Sequence, residues 1–486
     1  MKQLHDLLDD VRALEIKGAN PTITALEYDS RRVERGSCFF AVRGTASDGH
    51  NFIPAAIERG ASAIVCQELP TEINNGVTYV VVEDTNVAMA AMAASFYDHP
   101  TLELKLVGVT GTNGKTTTAT LLYDMFMAMG YKAGLISTVI YRIGQRSITS
   151  THTTPDVIRL NQMMREMVDE GCDYCFMEVS SHAAAQHRIE GLHFVGALFT
   201  NLTHDHLDYH GTYKEYINAK KSFFDRLDKS AWAVVNGDDR NGEVMLQNCK
   251  GKGYRLSLRS MADYRTKIVE MHPDGMLLHI DGQELWVKFT GRFNAYNLTT
   301  VYAAATLLGI DKLEVLTTLS QLTPVAGRFE TIVADDRTMA IVDYAHTPDA
   351  LENVLQTIEE VRQDQQRLIV VCGCGGDRDK TKRPEMAAIA TKYATTAIFT
   401  SDNPRTESAE AILDDMVRGV DGAKNWLRIT DRREAIRTAT MLAQPKDIIL
   451  IAGKGHEDYQ IIGTEKHHFD DREEVRNAFN QTHNNR

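Results

Sequence analysis

The chain has 486 residues, 43% hydrophobic and 24% charged, which excludes a disordered protein; at about 150 residues per domain it predicts about three domains. A net charge of −13 excludes a general nucleic-acid surface, which needs a basic face to displace counterions, so any anionic ligand must be held locally. Seven scattered cysteines, the lack of an apolar run of about 18 residues and acids within the N-terminal apolar pattern point to free thiols, no membrane-embedded segment, no secretory leader and a cytoplasmic location.

In chain order, the first stretch mixes strand-like runs at 37–42 and 63–65 with an amphipathic run at 52–59 that stops at Gly60. This is the pattern of a small α/β domain. An Ala/Met-rich helical segment ends before Pro100, which sets a boundary near residue 101. Buried strands are then expected at 104–109, 174–179 and 195–200, with a helix at 115–129. Such alternation predicts parallel strands joined by helical crossovers. A third set of strands, 339–342, 368–371 and 448–451, ends at Asp343, Gly373 and Gly453. Ligands of open α/β sheets sit at the carboxyl ends of strands, so these three ends mark a site. The fold class expected is α/β in three domains: a small α/β domain (1–101), a central phosphate-loop ATPase domain on a parallel sheet (102–328) and a Rossmann-like C-terminal domain (329–486).

Between the strand at 104–109 and the helix lies Thr110-Gly111-Thr112-Asn113-Gly114-Lys115-Thr116-Thr117. A strand, a Gly-rich turn and Lys-Thr at a helix start form the setting in which backbone N–H groups cradle nucleotide phosphates. Lys115 would reach the β- and γ-phosphates, and Thr116 the magnesium. The strict G-x-x-x-x-G-K-[ST] pattern asks for glycine at 109, where this chain has Val109. Glu178 closes an apolar run, where a carboxylate needs a partner, a cation or a helix N-terminus to cap. Cys172 and Cys175 have redox or zinc spacing but run straight into an apolar strand, so they read as core thiols. His204, His206 and His210 approach a dinuclear metallohydrolase signature, with the last histidine one place late.

The motif Gly111-Thr112-Asn113-Gly114-Lys115-Thr116 resembles the phosphate loop shared by the Mur ligases and the folylpolyglutamate synthetases. Tyr28-Asp29-Ser30-Arg31, Thr153-Thr154-Pro155-Asp156, Glu178-Val179-Ser180-Ser181-His182, Asp343-Tyr344-Ala345-His346-Thr347-Pro348-Asp349 and Gly453-Lys454-Gly455-His456-Glu457 narrow the resemblance to the Mur ligases. They occur in that family's order across all three expected domains. A folylpolyglutamate synthetase would not account for Asp29-Ser30-Arg31, nor a metallohydrolase for the phosphate loop.

The resemblance implies a monomeric ligase that uses ATP and Mg²⁺ to activate a substrate carboxylate as an acyl phosphate, which an amine then displaces. The N-terminal domain would hold the uridine nucleotide, the central one ATP and the C-terminal one the amino acid. Lys115, Glu178, His206 and Lys220 are the implied catalytic residues, with Thr116, Glu178 and His206 toward magnesium and Lys220 carbamylated. Gly111 to Thr117, Asn294, Asn297, Arg328 and Asp343 are implied for the nucleotide, and Ser30, Thr153, Thr154, Ser180, Gln186 and Arg188 for UDP-MurNAc-L-Ala-D-Glu. Arg378, Asp402, Asn403, Pro404, Arg405, Gly453 and Glu457 fall to the incoming amino acid. Asp402-Asn403-Pro404-Arg405 matches the form that takes meso-diaminopimelate, whose distal carboxylate pairs with the arginine. Lysine, the alternative amine, has no such carboxylate, and a guanidinium left without its anion selects against it.

Overall fold

The structure, a computed structural model, describes residues 1–44, 47–150, 152–203, 211–363, 365–420 and 422–484. Three large sheets follow one another along the chain. The first orders its strands Ala13–Lys17, Thr78–Val82, Ala63–Cys66, Ser37–Phe40 and Ala25–Glu27, all parallel except the first. The run at 52–59 forms the helix Ile53–Glu58, entered through a 3₁₀ turn whose start Asp48 caps.

The second sheet is the largest. Its parallel centre orders Ala133–Ile136, Tyr174–Glu178, Lys105–Thr110, Gly196–Phe199, Trp232–Asn236 and Lys252–Ser257. Side chains of a strand alternate between faces, and both faces here are covered. Val107, Val109, Tyr174 and Phe176 join one core with the helices Lys115–Ala128 and Arg292–Leu307, while Leu106, Cys175 and Met177 join another with Val157–Asp169 and Tyr213–Asp225. Beyond Lys252–Ser257 the sheet continues through Tyr264–His272, then antiparallel through Gly275–Ile280 and Gln283–Val287.

The third sheet orders Glu330–Val333, Met339–Asp343, Ile448–Ala452, Leu368–Cys372, Thr396–Phe399 and Trp426–Arg428, parallel except for the first strand. The three expected strand ends therefore lie side by side at one edge, as Asp343 pairs with Ala452 and Ala452 with Cys372. A fully buried ion pair, Arg432 with Asp471, ties the helix Arg432–Leu442 to the C-terminal helix Asp471–Asn484. Cys172 and Cys175 are buried thiols, as expected from their flanking strand. Among the described residues no helix is long and apolar enough to cross a membrane.

Candidate functional site

The strand Lys105–Thr110 delivers the chain to the phosphate loop, where Gly111 (φ 148°) and Gly114 (φ 88°) turn it into the helix Lys115–Ala128. Position 109 belongs to the strand, since Val109 is paired with Glu178 on one side and Leu198 on the other. That explains why no glycine is needed there. Gly114 caps the helix without any side-chain hydrogen bond, so its leading N–H groups remain available to an anion.

The loop is braced from the next strand. Thr112 N donates to Asn201 O (2.8 Å) and Asn113 N to Asn201 Oδ1 (2.9 Å), while Thr200 Oγ1 donates to Asn113 O (2.6 Å). Two lysines converge on the loop's carbonyls: Lys115 Nζ reaches Gly111 O (3.0 Å) and Thr112 O (2.8 Å), and Lys220 Nζ reaches Gly111 O (2.8 Å). Lys220 is buried over the Tyr216 ring, whereas neighbouring Lys221 pairs with Asp225 in a largely covered position rather than at the open surface. Asn297 sits against the loop, because a β-carbon at position 114 would lie 2.5 Å from its Oδ1; Asn294 lies one turn before it and donates to Thr290 O. From the C-terminal sheet's side, Arg328 donates to Thr116 Oγ1 (3.1 Å), and Asp349 Oδ2 accepts from Asn113 Nδ2 (3.0 Å) and Thr203 Oγ1 (3.1 Å). Arg328 also lies over the Tyr344 ring, which contacts His456. Asp343 accepts from Phe329 N, and burial pushes its carboxyl up to about 6 against the opposing pull of Arg328.

A second cluster lies one strand over. Glu178 is fully buried; its carboxylate accepts from Thr138 N (2.7 Å) and Thr138 Oγ1 (3.2 Å) and pairs with no cationic side chain among the described residues. It does not cap the following helix, which Ser180 caps through Ala183 N. The Thr153 hydroxyl lies 3.1 Å from Thr138 Oγ1, Thr154 Oγ1 donates to the Glu178 carbonyl, and Arg188 donates to Thr154 O (2.8 Å) and Gln186 Oε1 (2.6 Å). Asp156, the last residue of the Thr-Thr-Pro-Asp motif, caps the helix Val157–Asp169 and leaves both threonines to this network. Ser30 opens a 3₁₀ turn capped by Asp29, and the adjoining Tyr28 lies within electrostatic reach of Asp156 and Arg188.

The Glu178 carboxylate, with no cationic partner among the described residues, and the Thr116 hydroxyl at the start of the phosphate-loop helix are hard oxygen donors of the kind that hold Mg²⁺ together with substrate phosphates. The residues present fit the ion. His206, like His204 and His210, lies outside the described residues.

The third cluster lies at the edge of the C-terminal sheet. Arg405 is held in the left-handed region (φ 53°), with its N–H donating to Ile461 O and its guanidinium to Gly376 O (2.7 Å). A β-carbon at position 375 would touch both Arg405 and Arg378, so the two guanidinium-bearing chains flank Gly375. Gly453 (φ 120°) leaves room for Asp402 Oδ2, which would lie 2.5 Å from a β-carbon there. Pro404 packs its carbonyl against Gly376, and Asn403 Nδ2 donates to Glu457 Oε2 (2.8 Å).

Comparison with known proteins decides the family. The chain is 52% identical over 480 residues to the UDP-N-acetylmuramoyl-L-alanyl-D-glutamate--2,6-diaminopimelate ligase of Bacteroides thetaiotaomicron, covering 98% of this chain and 100% of that one. The chain belongs to the Mur ligase family. Profiles of that family match in order: Mur ligase family, catalytic domain, at 22–97; Mur ligase middle domain at 109–305; and Mur ligase, glutamate ligase domain, at 327–455. The similarly named protein of Phocaeicola vulgatus is 53% identical over 98% of this chain and 99% of its own. A solved structure of a ligase of that name superposes with a TM-score of 0.69 at 33% identity, covering 95% of each chain. This Mur ligase is thus an ATP-dependent amide ligase of peptidoglycan synthesis, and the metallohydrolase alternative falls away.

The clusters also hold residues not singled out from the sequence of this Mur ligase. Thr138 gives Glu178 two hydrogen bonds. Its signal is position: it lies just past the carboxyl end of the buried strand Ala133–Ile136. Thr200 and Asn201 brace the loop, and Asp349, the last residue of the motif that begins at Asp343, reaches it from the third sheet.

Proposed function

We propose that this Mur ligase joins 2,6-diaminopimelate to the D-glutamate side-chain carboxyl of UDP-MurNAc-L-Ala-D-Glu, with ATP converted to ADP and phosphate. The observation that carries the choice of amine is Arg405. Its guanidinium stands beside Arg378 and its loop joins Glu457 through Asn403, so one pocket edge offers cations for a carboxylate and an acid for an ammonium. Lysine would fill only half of it.

In the proposed mechanism the dipeptide carboxylate attacks the γ-phosphorus, ADP leaves, and the amine attacks the resulting acyl phosphate, losing a proton and expelling phosphate. Residues 1–101 would hold the uridine nucleotide, 102–328 ATP and 329–486 the amino acid; each large sheet lies within one of these stretches. Lys115 turns from the loop carbonyls to the β- and γ-phosphates, while the Gly111 to Thr117 backbone and hydroxyls, Asn294, Asn297, Arg328 and Asp343 orient the nucleotide. Ser30, Thr153, Thr154, Ser180, Gln186 and Arg188 present donors and acceptors to the UDP-dipeptide. Thr116, Glu178 and His206 would hold Mg²⁺, which neutralises charge on the transferring phosphoryl group. Carbamylation of Lys220, buried beside the loop, would turn a cation into an anion able to support Mg²⁺. One chain supplies all three clusters, which supports a monomer, and its free thiols suit the cytoplasm.

The test supplies purified protein with ATP, Mg²⁺, the UDP-dipeptide and either amine, and reads product mass together with ADP. Tripeptide product with diaminopimelate and little with lysine is expected; product with lysine alone contradicts the proposal.

A further inference from the structure

Lys454 is a titratable group that the proposed mechanism leaves unused. It stands just past the strand Ile448–Ala452, its side chain has no solvent exposure, and its ammonium lies over the Tyr459 ring. Burying an ammonium is costly unless it is paired and hydrogen-bonded. Its partners all belong to the amino-acid cluster: Asn403 Oδ1 at 3.2 Å, Glu457 Oε2 at 3.2 Å and Asp402 Oδ1 at 4.0 Å.

The bonding around these partners is directional. Asn403 Oδ1 accepts from Lys454 and from Ile461 N (2.9 Å), which fixes the amide so that Nδ2 must face Glu457 Oε2. Glu457 Oε2 thereby receives two donors, while its Oε1 has no hydrogen bond among the described residues. The carboxylate is anchored by one oxygen and offers the other. Gln460 Nε2, donating to Asp402 O (2.6 Å), ties the same loop to the strand Tyr459–Ile462.

We propose that Lys454 is a positioning residue for the incoming amino acid: its buried ammonium holds Glu457 and, through Asn403, the Asp402–Arg405 loop in the arrangement that receives the distal ammonium and carboxylate. This rests on the assignment of Glu457 and Arg405 to that substrate. A merely structural lysine would, on removal, lower the folded fraction and hence the apparent kcat, leaving every KM unchanged. A positioning lysine acts on one KM.

The test compares wild-type enzyme, Lys454→Met, Glu457→Gln and the double variant, measuring KM for diaminopimelate, ATP and the UDP-dipeptide. The expected result for Lys454→Met is a rise of about tenfold in the diaminopimelate KM, the scale of one lost charge-assisted hydrogen bond. The other two KM values stay within about twofold, and the double variant rises no further than Glu457→Gln alone, because the two residues act as a unit. An unchanged diaminopimelate KM in Lys454→Met, or multiplied effects in the double variant, would overturn the proposal. If Lys454→Met yields no folded enzyme, Lys454→Gln removes the charge while keeping a donor and is judged by the same KM. Wild-type enzyme that uses lysine instead overturns the assignment of Arg405; Lys454 is then judged on the KM for lysine, whose side-chain ammonium Glu457 would still receive.

Discussion

Asp343 shows how one buried carboxyl links fold to pH. Burial pushes it up to about 6 from an ordinary value of 3.8, although Arg328 and the N–H groups of Phe329 and Ala345 pull the other way. In the window between those values the native state keeps a proton that the unfolded chain has released. Stability therefore falls as pH rises through the window and levels off above about 6. Relative to Asp343→Asn, the wild-type C-terminal unit should lose up to about 3 kcal/mol between mildly acidic and neutral pH, from roughly two pKa units. Urea unfolding of both proteins across that range measures it, and parallel curves would refute it. Asp343 and Glu178 were legible because an acid closing an apolar run is a visible anomaly. Thr138 was not: a threonine in a turn is ordinary, and only the strand order reveals that it serves Glu178.

The phosphate loop shows why elements bear the signal better than motifs do. Val109 breaks the strict pattern, yet it is a fully buried strand residue, and the turn begins only at Gly111. Gly114 is the position where substitution should hurt most. Its φ of 88° would cost a residue with a β-carbon roughly 1–2 kcal/mol, and that carbon would sit 2.5 Å from Asn297 Oδ1. Gly114→Ala should raise the KM for ATP about tenfold or more and lower the unfolding midpoint; initial rates with ATP varied will show the first, and an unaltered KM would mean that the loop tolerates the change. The parallel strands at 104–109, 174–179 and 195–200 were legible from their continuous apolar runs. The antiparallel extension was not, because Tyr264–His272 buries only one face and carries Arg265, Lys267 and Glu270 on a largely exposed strand. Its apolar partners are supplied by Met276, Leu278, Ile280, Leu285 and Val287 under the helices Arg292–Leu307 and Lys312–Gln321.

Three motif-bearing stretches could be ordered along the chain, but their meeting could not be read from it. At the phosphate loop the contacts include polar ones between distant residues, Asp349 to Asn113 and Thr203, and Arg328 to Thr116, while Val157 packs into the N-terminal core and Phe293 against the C-terminal one. A net charge of −13 makes such local placement necessary, since two anionic substrates must be drawn to a negative molecule by a few cations in fixed positions. Lys115 at the loop, Arg188 beside Thr154, and Arg405 at the third sheet's edge are cations held in such positions. In the proposed mechanism this assembly activates a carboxylate by phosphorylation before the amine attacks. UDP-dipeptide labelled with ¹⁸O in the glutamate side-chain carboxyl tests it most directly, by mass analysis of the phosphate released during turnover with diaminopimelate. One ¹⁸O in each phosphate is the predicted result; unlabelled phosphate accompanying amide product would contradict it.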